Sequence, residues 1–182
     1  MSSDLPDWFI QAFAMPRLGP YLATAETSGI GADDLYLWNL QVAEAFYVSL
    51  HCLEISLRNA LHAQLLASYG RRDWWVTAPL AEVALRKIDV AQEQAARQVP
   101  ALYRSFPHYH DRREALRDNL ETMVLLRNRV MHHEPIHHRD LAADHAKAYR
   151  LIGYIEPKVV SWLRTFDRVP DLLSRRPVRR TA

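Results

Sequence analysis

The chain has 182 residues, 49% of them hydrophobic, a net charge of +2 and one cysteine. That length suits one domain with its own core, and the apolar content excludes wholesale disorder. A lone Cys52 excludes an internal disulfide and fits a reducing, cytoplasmic setting. The net charge identifies no partner, although twenty arginines stand against three lysines. Arginine grips phosphate as a fork, which favours a phosphate-rich partner; compositional bias of the genome accounts for the same ratio.

The chain opens MSSDLPDWFIQAFAMP, acidic and without a basic n-region, so no secretion leader is expected. No run of about 18 apolar residues is present, so no membrane span is expected either. Glycines are few, at five, and no long stretch alternates apolar with polar residues, so the expectation is an all-α fold without a sheet.

The first predicted helix covers Pro6 to Ala14, with Asp4 as a cap and Pro6 in its first turn. The second starts near Arg17 or Pro20 and ends before Ser28-Gly29. The longest runs from Asp33 to Ser68 and is closed by Gly70. Its apolar face reads Phe46, Leu50, Leu53, Leu57 and Leu61. A further helix is expected over Thr77 to Pro100, then a short ordered or looped piece from Ala101 to His110. Arg112 to His132 is the next helix, with Leu116, Leu120, Met123 and Leu125 or Leu126 as its core stripe. Asp140 to about Arg168 follows, kinked or divided at Pro157. Residues 1–170 are thus expected to form a single domain. Residues 171–182, ending SRRPVRRTA, form a basic tail expected to be disordered, either touching nucleic acid or solubilising the chain.

Two constellations carry chemistry. On the long helix, Tyr47, His51, Glu54, Arg58 and His62 fall within about 80° of one another. They form either a solvated surface with a Glu54–Arg58 pair or the wall of a polar groove. The second is LLRNRVMHHEPIHH, Leu125 to His138. Arg127 suits phosphate binding and charge stabilisation, Asn128 suits positioning, and an imidazole such as that of His132 suits proton transfer. Arg127 and His132 lie five residues apart, about 140° round an ideal helix and about 7.5 Å along it. A curling arginine, a distorted helix end or a second copy of the helix would be needed to bring them together; a two-fold dimer provides the last.

No Gly-rich phosphate loop and no nucleophile elbow is present. An Arg–Asn–His set without metal suits RNA cleavage, because RNA brings its own nucleophile, the 2′-hydroxyl. His132, His133, Glu134, His137 and His138 also make a dense group of metal-ligand types. Pro135 argues against one continuous ligand helix there, so no metal and no cofactor is assigned.

LRNRVMHHEPI, with YLWNLQVAEAFYVSLHCLEISLRNAL upstream, resembles the Abi-like (abortive infection) family of the HEPN superfamily. The resemblance spans about Tyr21 to Leu163, with Trp74-Trp75 and IGYIEPKVVSWL in support. The segment from Val99 to Asp111 departs from the family pattern: it holds SFPHYH in place of a longer element with Gly-Phe-Trp. The resemblance implies a helical bundle with a motif helix ending near His132, and a metal-independent endoribonuclease in phage defence. It implies a homodimer with a composite site, and an antitoxin or defence protein as a further partner. Arg127, Asn128 and His132 or His133 would be catalytic. Glu54, Arg58, Asn59 and His51 would orient the motif or the RNA; knitting the bundle together is the alternative role for Glu54, Arg58 and Asn59. A non-catalytic RNA- or nucleotide-binding module is the alternative reading of the whole.

Overall fold

The computed structural model describes residues 5–73 and 103–178. Its helices are α1 (Asp7–Phe13), α2 (Met15–Ser28), α3 (Ala32–Tyr69), α4 (Arg113–Met131), α5 (Leu141–Ile155), α6 (Pro157–Leu163) and α7 (Val169–Ser174). No strand occurs among the described residues, and the fold is all-α as the sequence predicts. The expected helix from Thr77 to Pro100, the Trp74-Trp75 pair and Asp4 lie outside the described residues.

Helix α3 is the spine. Leu35, Trp38, Val42, Phe46, Leu50 and Leu53 recur three and four residues apart and are all buried. That stripe is wide enough for α2, α4, α5 and α7 to pack along it. The predicted face is deepest at Phe46, Leu50 and Leu53, whereas Leu57 and Leu61 are only half-buried. Two acids, Asp33 and Asp34, sit in the first turn, where the helix dipole favours them. Gly70 ends the helix in the left-handed conformation at φ 69°, its N–H bonded to the Leu66 carbonyl.

Several boundaries differ from expectation. Pro6 stands at the N-cap of α1 rather than in its first turn, and no side chain caps that helix. Pro20 lies inside α2, which begins at Met15. At Pro157, by contrast, division is the one of the two expected outcomes that occurs: Glu156 is extended at φ −152°, its carboxylate accepts from the Lys158 N–H, and α6 starts at Pro157.

The expected tail boundary at 170 falls inside α7. Val169 is buried, and the Leu172 carbonyl accepts a 2.7 Å hydrogen bond from the Trp38 indole. Burying that indole N–H demands an acceptor, and α7 supplies it. The fold therefore runs through Ser174, and Arg176 lies over the Trp38 ring at 5.2 Å.

Helix α5 crosses the centre of the bundle, touching α3, α4, α6 and α7. Asp140 caps it, accepting from the Ala143 N–H at 2.9 Å. In its first turn Asp144 is buried and takes a bidentate grip from Arg139, at 2.7 and 3.1 Å.

Candidate functional site

Leu116, Met123, Leu126 and Val130 seat α4 against the core. Of the two residues offered for the fourth stripe position, Leu126 is the buried one; Leu125 is 53% exposed. This rotation sends Arg127 toward α3. There the Arg127 guanidinium Nε lies 3.6 Å from the Glu54 carboxylate, whose other oxygen accepts from Arg58 at 3.0 Å. Arg127 also reaches the Asn128 side-chain oxygen at 3.5 Å. Glu54 therefore bridges two guanidiniums, one from each helix.

A groove of about 280 Å³ runs beside this bridge, floored by Leu50, Leu53, Leu57, Leu120 and Met123 and edged by Glu54, Arg127 and Asn128. The Arg127 and Glu54 side chains are each 43% exposed. Ion pairs that wet contribute about 1 kcal/mol or less. Stability does not require this cluster, and two guanidiniums against one carboxylate leave it a net positive charge.

His51 stacks on Tyr47, ring centroids 6.0 Å apart, further along the same stripe of α3. Asn59 is exposed, about 100° round the helix from Arg58, so α3 turns it away from the Glu54 bridge.

The end of α4 is decided by backbone geometry, not by Pro135. The Glu134 N–H bonds to the Arg129 carbonyl at 2.8 Å, and the His133 N–H to that of Val130 at 3.2 Å. Between them His133 takes φ 56°. This pair of bonds is the Schellman closure, whose left-handed position glycine or asparagine ordinarily fills. Arg17 donates to the His133 carbonyl and pins the turn to α2. His132 stands at the C-cap and both imidazoles are exposed. Among the described residues no hydrogen bond or ion pair joins Arg127 to either histidine.

Beyond this turn the chain runs inward. Ile136 and His137 are buried, and the Asn39 side-chain oxygen accepts both of their N–H groups, at 2.8 and 3.0 Å. The His137 ring packs on Tyr21 and its Nε2 meets the Thr24 hydroxyl at 3.1 Å, while its Nδ1 is buried without a partner. Burial, then the charges of His138 and Arg176, push its pKa from 6.5 down to about 4. His138 is also lowered, first by burial and then by Arg129 and Arg139. His137 thus belongs to the core while His132, His133 and Glu134 face solvent, which splits the dense ligand group of the sequence. Among the described residues no three His, Cys, Asp or Glu side chains are gathered to hold an ion.

Asn39 went unmarked as a lone polar residue on an apolar face, although burial of such a residue implies a partner. A second missed cluster joins His145, Tyr149 and Asp167, residues 22 apart at the extremes, so no local spacing announces it. Among the described residues no helix is long and apolar enough to cross a membrane. No family model matches the chain, and neither a curated protein nor a solved structure does.

Proposed function

We propose that this chain is a metal-independent endoribonuclease of the HEPN type, an Abi-like protein that acts in phage defence in the cytoplasm. The observation that carries the reading is the Glu54 bridge. It joins Arg127 of the RNRVMH motif to Arg58 of the LEISLRN segment, beside an exposed helix end that holds two histidines. A cationic, solvent-open cluster on a helix whose exposed end carries imidazoles suits a phosphodiester.

In the proposed reaction the RNA 2′-oxygen attacks the adjacent phosphorus while an imidazole, His132 or His133, takes the hydroxyl proton. The P–O5′ bond breaks, and the departing oxygen receives a proton. A 2′,3′-cyclic phosphate and a 5′-hydroxyl end result. Arg127 stabilises charge on the phosphoryl oxygens and Asn128 holds it in position. Glu54 orients Arg127, and Arg58 with His51 extends the surface along α3; Asn59 has no part in this arrangement.

Arg127 and the histidines diverge around α4, so the reading includes a homodimer in which one copy's arginine serves with the other copy's histidine. Val124 and Leu125, 56% and 53% exposed on α4, offer an apolar contact for that second copy. The same divergence favours an alternative: a single-chain RNA- or nucleotide-binding module without catalysis, working with a defence protein or antitoxin.

The test is purified protein incubated with total RNA in EDTA. Cleavage lost in both Arg127→Ala and His132→Ala supports the enzyme. RNA left intact but bound establishes the module instead. Leu125→Glu should convert a dimer to a monomer in sedimentation and abolish cleavage; a wild-type monomer at micromolar concentration refutes the shared site.

A further inference from the structure

A second cleft lies away from the Glu54 bridge, where α5 meets α6 and the approach to α7. Its volume is about 800 Å³, within the range of small-molecule sites. Its wall is apolar at Gly153, Pro157, Val160 and Pro170, and Arg150, Ser161 and Arg164 face it as well.

One carboxylate, Asp167, lines this cleft among the described residues, and it is already engaged. Its Oδ2 accepts from the His145 Nε2–H at 2.7 Å, since a carboxylate only accepts, and its Oδ1 accepts from the Val169 N–H at 3.0 Å. Tyr149 adds a third hydrogen bond, and its phenol is held above its ordinary range first by burial and then by that bond. The Asp167 side chain is only 12% exposed. Its oxygens are therefore occupied in holding α5 to the start of α7.

Arg150 and Arg164 are in the opposite state. Both are exposed, both line the cleft, and neither has an ion-pair partner among the described residues. The cleft thus offers two guanidiniums without an ion-pair partner, against one carboxylate whose oxygens are already hydrogen-bonded, with a hydroxyl and an apolar wall. We propose that it binds a small organic phosphate: a phosphomonoester dianion held between Arg150 and Arg164, its apolar body against Pro157, Val160 and Pro170. Guanidinium forks match phosphate oxygens bidentately, and a dianion satisfies two of them at once. The inference stands independently of the nuclease reading, because it shares no residue with it.

The test is calorimetric titration of the full chain with phenyl phosphate as probe, beside inorganic phosphate and benzoate. Expected are saturable binding of phenyl phosphate at about 1 mM or tighter and a loss of about tenfold or more in Arg150→Gln and in Arg164→Gln. Arg117→Gln, at an exposed arginine that lines no part of this cleft, should bind as wild type. Both arginines are exposed, so circular dichroism melting should show the variants folded. Absence of saturation, or binding as tight as wild type in either glutamine variant, overturns the proposal. Inorganic phosphate binding as tightly refutes the role of the apolar wall, and benzoate binding as tightly refutes the choice of phosphate.

Discussion

Acidification from about pH 7 to about pH 5 should remove about 2 kcal/mol of folding stability through His137 alone. The ring is 2% exposed, with Nδ1 unpartnered, and its pKa falls from 6.5 to about 4 on folding. The unfolded chain therefore binds the proton more readily than the folded one, so stability rises with pH. The contribution is complete above about pH 6.5 and is lost as pH falls toward 4, with a ceiling of about 3 kcal/mol at about 1.4 kcal/mol per unit. Urea unfolding across this range, in wild type and in His137→Gln, isolates the effect. Glutamine keeps a partner for the Thr24 hydroxyl but does not titrate. The wild-type stability should fall more steeply with acid than the variant's, by up to one proton. His138, which is lowered in the same direction, remains in both proteins and cancels. Parallel curves for the two would refute the account of a neutral, buried imidazole.

Asn39→Ala strips the acceptor from two buried N–H groups and should cost about 2 to 5 kcal/mol, read as a melting temperature lowered by about 10 °C. Arg139→Ala leaves the Asp144 carboxylate buried without its cation; urea unfolding should show a loss of about 3 kcal/mol, partly recovered in the double variant with Asp144→Ala. His133→Gly relieves a left-handed residue and should raise stability by up to about 1 kcal/mol in the same assay, while His133→Val lowers it. Because glycine preserves the turn, cleavage by His133→Gly separates the two histidines: retained activity assigns proton transfer to His132, and lost activity assigns it to His133.

The long helix was legible because Phe46, Leu50 and Leu53 repeat at helical spacing and Gly70 follows. The polar stripe was legible for the same reason, since Glu54 and Arg58 are i, i+4 neighbours. The reach of Arg127 to Glu54 was not, because 73 residues separate them and the rotation of α4 depends on whether Leu125 or Leu126 is buried. The turn after His132 was hidden by Pro135, which looks like the obvious breaker. Hydrogen bonds to Arg129 and Val130 end the helix earlier.

The sequence by itself determined the all-α class, most helix limits, the division at Pro157 and the composition of both polar constellations. Those are local properties: periodicity, caps and the steric limits of proline and glycine act within a few residues. Tertiary structure decided which histidine is core and which is surface. His137 and His132 have the same chemistry, but Asn39 and Tyr21, about a hundred residues earlier, draw one inward and leave the other in water. It also decided that the Asp167 oxygens are taken up by His145 and Val169 while Arg150 and Arg164 are left without an ion-pair partner, because pairing depends on distance in space rather than along the chain.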